Sequence, residues 1–124
     1  MDILILGGTV FLGRHLVHAA LTRGHRITLF HRGQHNAGLF ADEPMVDVLH
    51  GDRDGGLQIL RGRRWDAVID TCGYVPRLVH DAATLLADQV AHYTFISTIS
   101  VYPDPVRPGL TETDPVGMLD DPTT

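Results

Sequence analysis

The stretch LGGTVFLGRHL, residues 6–16, decides the fold. Residues 2–6 (DILIL) are a short apolar run ending at a glycine, which predicts a strand buried on both faces, as in a parallel sheet. Over residues 11–23 the apolar positions switch to helical spacing. Leu12, Leu16, Ala19, Ala20 and Leu21 gather on one side; Arg14, His15, His18 and Thr22 lie largely on the other. Gly24 is a natural C-terminal stop. A strand, a glycine turn and a helix in that order make the turn the first place to look for a ligand, because open α/β sheets bind at the carboxyl ends of their strands.

Working outward, the alternation continues. Further strands are expected at 26–30 (RITLF), 45–50 (MVDVLH), 66–70 (DAVID) and 92–98 (HYTFIST). A helix is expected at 78–89, entered through Pro76, with a short one around 57–61. Residues 31–44 read as a loop. Short apolar strands alternating with helices imply right-handed crossovers, hence an α/β fold: a doubly wound parallel sheet of about five strands. The expected division is a ligand-binding domain over 1–102 and a proline- and acid-rich loop or tail over 103–124. That tail holds Asp104, Glu112, Asp114, Asp120 and Asp121.

A length of 124 residues suits one domain, and 44% hydrophobic against 20% charged residues supports a folded core. The net charge of −5 argues against a nucleic-acid partner, which wants a basic face. A single cysteine, Cys72, cannot form an internal disulfide, so the expected location is the cytoplasm. No apolar run is long enough to span a membrane, and Asp2 stands where a secretory signal would be basic. His15 and His18 lie near one helix face, but no carboxylate sits at ligand spacing, so no metal site is expected.

A dinucleotide-binding turn needs three small positions, for the tight turn, the approach of backbone to pyrophosphate, and close helix packing. On this chain they fall at Gly8, Val10 and Gly13, so the middle one is not glycine. The helix end would still offer free N–H groups to phosphate. The plain alternative is a strand-helix turn that uses glycine for conformation only.

GGTVFLGRHLV resembles the opening of the extended short-chain dehydrogenases, the NAD(P)-dependent epimerase/dehydratase family. It is most similar to a branch that opens GGT-x-F-x-G and commonly lacks the middle glycine. FHRG (30–33), HGDR (50–53), WDAVIDTCGY (65–74), YTFISTISVY (93–102) and TETDP (111–115) follow in family order. The resemblance implies a Rossmann-type fold, here incomplete, and a cofactor site built from Gly7, Gly8, Thr9, Val10, Phe11, Leu12 and Gly13. Val10 would push the pyrophosphate slightly outward or tilt the turn.

The resemblance implies further roles. His31 and Arg32 stand where an acid would read the adenosine ribose. Without that acid, and with a guanidinium able to grip phosphate, NADP(H) is favoured over NAD(H); the alternative is a solvated loop arginine. Asp52 would hold the adenine amino group and Arg53 would pack on the base. Thr71, Cys72 and Gly73 would let backbone approach the cofactor ribose; for Cys72 a small buried residue is preferred to any redox role. Thr98 falls on the family's catalytic Ser/Thr, three residues before Val101-Tyr102, where its hydroxyl would orient the reacting oxygen of a substrate. Ser97 and Ser100 flank it as alternatives, and a backbone-bonded hydroxyl is the simpler reading.

Family chemistry also needs a tyrosine with a lysine four residues later. All ten basic residues here are arginine, and the residue four after Tyr102 is Val106. The expectation is therefore the N-terminal, cofactor-binding part of an epimerase, dehydratase or reductase acting on a nucleotide-sugar-like or carbonyl substrate, inactive as a fragment. An uncovered sheet edge would favour dimerisation. A non-catalytic module sensing the redox state of NADP is the alternative, and an RNA-binding role ranks last.

Overall fold

The computed structural model describes every residue except Asp104, Val106, Pro122 and Thr124. Asp104 and Val106, named above, therefore lie outside the described residues. Five strands form one all-parallel sheet: β1 (Asp2–Leu6), β2 (Arg26–His31), β3 (Val46–His50), β4 (Trp65–Asp70) and β5 (Val90–Phe95). Their order is β3-β2-β1-β4-β5. Successive strands run outward from β1 in both directions, so β1 is the switch point of a doubly wound sheet. This is the five-stranded α/β fold expected, of Rossmann type.

Helix α1 (Phe11–Thr22) joins β1 to β2, and α2 (Pro76–Leu86) joins β4 to β5. Alternation along β1 supplies both cores. Ile3 and Ile5 pack with Ile27, Leu29 and Val46 against Val17 of α1. Leu4 and Leu6 pack with Phe30 and Val68 against Ala82 and Leu86 of α2 and Leu57 and Leu60 of a 3₁₀ turn. Each such buried aliphatic side chain contributes about 1.5–3 kcal/mol. Gly24 ends α1 with φ +79°, a conformation that favours glycine.

The boundaries differ from expectation in informative places. Pro76 opens α2 as its first residue, where the missing N–H costs nothing. The short helix at 57–61 is a 3₁₀ turn, Leu57–Leu60. β5 stops at Phe95, three residues before its expected end, because its ladder partner β4 ends at Asp70 opposite Phe95. A second 3₁₀ turn, Ile99–Val101, follows. β5 is an edge strand, and Phe95, Ile96 and Ile99 beside it are exposed.

Candidate functional site

The glycine turn sits at the carboxyl end of β1, between β2 and β4. Gly7 and Gly8 adopt φ +104° and +100°, which side chains rarely tolerate. A Cβ on Gly13 would lie 2.5 Å from Gly8 Cα and 2.8 Å from Gly8 N. The first turn of α1 is thus pressed onto the backbone of the loop that precedes it. Val10 needs no glycine: it is the N-cap residue in ordinary extended geometry (φ −120°, ψ 156°), with its side chain exposed.

This turn walls a cavity of about 600 Å³ along the carboxyl edge of the sheet. Gly7, Gly8, Thr9, Val10, Phe11, Leu12 and Gly13 line it. So do His31 and Arg32 after β2, Asp52 and Arg53 after β3, and Thr71 and Cys72 after β4. The loop after β2 is pinned over the turn, because Asn36 Nδ2 donates to Thr9 O at 2.9 Å. Thr71 Oγ1 donates to Leu6 O at 2.7 Å, closing the β1–β4 side.

Residues 3–123 match the family described as NAD dependent epimerase/dehydratase. The chain belongs to the NAD-dependent epimerase/dehydratase family. Solved structures similar to it include the UDP-Glc/GlcNAc 4-epimerase of Campylobacter jejuni, at 18% identity and TM-score 0.78, covering 98% of this chain and 44% of that one. WbmG of Bordetella bronchiseptica, solved with NAD, gives 19% identity and TM-score 0.78 over 96% of this chain and 44% of that one. Yeast methylglyoxal/isovaleraldehyde reductase Gre2, solved with NADPH, gives 17% and 0.66 over 84% and 40%. At these identities the likeness is one of fold, and this chain spans less than half the length of each. No curated protein matches.

Within the family frame, His31 is nearly buried. Its Nδ1 accepts from Gly33 N–H at 2.9 Å, which leaves the proton of the neutral ring on Nε2, where it has no partner. Its ring meets His50 edge-on at 4.9 Å. Burial, and then the neighbouring His50, lower its pKa. His31 is therefore neutral, and Arg32, exposed on the same wall, is the cation at this end of the cavity.

Arg53 departs from expectation. It lines the cavity, but its guanidinium turns inward rather than lying flat for a base. It grips Asp70 in a bidentate pair, at 2.7 and 3.0 Å, and donates to Leu78 O and Cys72 Sγ. Asp70 is fully buried and also accepts from Tyr93 OH at 2.7 Å and Cys72 N–H at 3.2 Å. Burial opposes the Arg53 charge, but the bonds and charge of Asp70 outweigh it and raise its pKa. Burial and the bond to Asp70 push the Tyr93 hydroxyl up, so it stays protonated. Burial also raises the Cys72 thiol, consistent with a packed residue rather than a reactive one.

Gly73 and Thr98 also stand elsewhere than expected. Gly73 does not line the cavity; a Cβ there would meet Val79 at 2.5 Å and Phe95 at 2.8 Å, so its smallness serves packing between α2 and β5. Thr98 lies beyond β5, exposed and outside the cavity, where Oγ1 accepts from Ser100 N–H at 3.2 Å and caps the 3₁₀ turn. Sequence reasoning missed Asp70, Tyr93, His50 and the cavity-lining Tyr74 and Leu78. The one available signal was a carboxylate ending the apolar strand DAVID, which demands a partner once buried. No group of three or more metal-ligating side chains occurs among the described residues, and no helix is long and apolar enough to cross a membrane.

Proposed function

We propose that this chain is the cofactor-binding part of an NAD(P)-dependent epimerase, dehydratase or reductase, and that the cavity at the glycine turn holds NADP(H). The observation that carries this reading is the fit of the cradle. The Gly7–Gly8 turn and the Gly13 contact bring the free N–H groups of α1 to a cavity lined by every expected cofactor residue but Gly73. The exposed guanidinium of Arg32 suits a 2′-phosphate there, and His31 walls the same end of the cavity, where the adenosine ribose would lie. Asp52 would take the adenine amino group. The cofactor, when bound, supplies hydride transfer; these residues bind and orient it.

The chain holds no lysine, so it cannot itself supply the tyrosine–lysine pair that exchanges a proton with the substrate. Binding without turnover by these 124 residues is the reading. Thr98 would orient the reacting oxygen of a nucleotide-sugar-like or other carbonyl substrate after moving from its cap. The exposed β5 edge would favour self-association. The second reading is a non-catalytic module that senses the NADP redox state; it uses the same cradle, and the lack of lysine in these residues does not separate the two. Calorimetric titration of the chain with NADPH and NADH, beside a turnover assay, tests the proposal. Saturable binding, tighter for NADPH, with no turnover is expected; absence of binding at millimolar nucleotide would overturn it.

A further inference from the structure

The segment after β3 reads Asp52-Arg53-Asp54, and each of the three side chains is engaged differently. Asp52 Oδ1 accepts from Asp54 N–H at 2.9 Å, and its other oxygen makes no hydrogen bond among the described residues. Arg53 is tied to Asp70 below. Asp54 is held from outside, by a bidentate ion pair with Arg77 of α2 at 2.8 and 3.1 Å. Gly56 closes the turn so tightly that a Cβ there would meet Asp52 N at 3.1 Å.

Arg77 breaks a local rule. It is the second residue of α2, where the helix macrodipole disfavours a cation, and no acidic residue stands in that first turn to offset it. Its hydrogen-bonded partner comes from the turn after β3 instead, and Asp81, one helical turn on, adds a weaker attraction. The pair lowers the Asp54 pKa and raises that of Arg77. Both side chains are substantially exposed, so the pair adds little to stability. A broken local rule with little gain in stability is what a functional position looks like. The pair fixes Asp54, and the Asp54 N–H fixes the Asp52 carboxylate on the cavity wall.

We propose that Arg77 and Asp54 are positioning residues for nucleobase recognition: through their ion pair, the first turn of α2 aims the free oxygen of Asp52 at the exocyclic amino group of a bound adenine. The inference rests on the cofactor reading above and deepens it. A carboxylate accepts from an amino group but repels the carbonyl oxygen that hypoxanthine carries in its place. Preference for adenine over hypoxanthine therefore reports the aim of Asp52, whereas overall affinity reports the whole cavity.

The test titrates NADPH and its hypoxanthine analogue into the wild-type chain, Arg77→Ala, Asp54→Asn, the double variant and Arg77→Lys. Wild type is expected to prefer NADPH. Each single change to Ala or Asn should shrink that preference by about two- to fivefold, the scale of an exposed ion pair. The double variant should lose no more than the singles, Arg77→Lys should regain part of the loss, and thermal midpoints should stay at the wild-type value. Equal losses for both nucleotides, or a preference that does not move, would overturn the inference while leaving the cofactor reading intact. A wild-type chain that binds neither nucleotide would overturn both.

Discussion

Replacing Gly13 by alanine probes the cradle at its tightest point. The added Cβ would lie 2.5, 2.8 and 3.0 Å from Cα, N and C of Gly8. Carbon pairs settle at about 3.5–4.0 Å, so turn and helix must part by about 1 Å. Both sides of the contact are backbone, and no rotamer change can relieve it. Overpacking of this kind costs about 1–3 kcal/mol. Alanine returns up to about 1 kcal/mol in helix propensity. The net loss is then about 1 kcal/mol, or about 4 °C in thermal midpoint for a domain of this size. Affinity should suffer more than stability. A helix end displaced by about 1 Å forfeits at least one charge-assisted bond to phosphate, worth about 1.5–3 kcal/mol, so NADPH binding should weaken at least about tenfold. Calorimetry reads the affinity and a melt reads the stability. Gly38→Ala is the control, since nothing lies within 4 Å of a Cβ there. A Gly13→Ala chain that binds NADPH as tightly as wild type would refute the reasoning.

Three further outcomes follow from the geometry. Arg32→Ala should cost about tenfold in NADP(H) affinity, on the scale of a charged hydrogen bond to phosphate, and little for NAD(H); equal losses would reassign Arg32 to the solvated loop. Asp70→Asn should lower stability by about 3–5 kcal/mol in urea unfolding, because it leaves the Arg53 guanidinium buried without its counter-charge; a change under about 1 kcal/mol would contradict the buried pair. His31 has a folded pKa below its usual 6.5, so its contribution is fully present above that value. As pH falls from 6.5 toward the lowered folded value, the unfolded chain takes the proton first and the contribution is lost. His31→Gln should therefore flatten the acid limb of stability against pH, and an unchanged slope would count against the neutral, buried ring.

Period and punctuation made the fold legible. The runs at residues 2–6 and 66–70, glycine at the ends of β1 and α1, and proline at the start of α2 are local signals, and each element formed within a few residues of its expected place. The wall of the cavity was legible for the same reason, since strand ends and the residues after them share one edge of the sheet. The inward turn of Arg53 was not legible. It depends on Asp70, seventeen residues away on β4, three places across the sheet from β3, and neither residue carries a local mark of the other. Gly73 misled in a similar way. A glycine at a strand end reads as room for a ligand, and only packing shows that Val79 and Phe95 fill that space. The place of Thr98 beyond the strand was not legible either, because β5 loses its partner at Phe95, a long-range pairing with no local mark in the run 92–98.

The central claim is that the carboxyl-edge cavity, walled by the Gly7–Gly13 turn, is a dinucleotide site. Backbone amide shifts of the labelled chain, followed by NMR during titration with NADPH, test it most directly. Saturable shifts are expected at Gly7–Gly13, His31–Gly33 and Asp52–Arg53, with the amides at the opposite edge, around Arg26, Arg63 and Arg64, unmoved. Shifts confined to that opposite edge, or none in a chain that is folded, would contradict it.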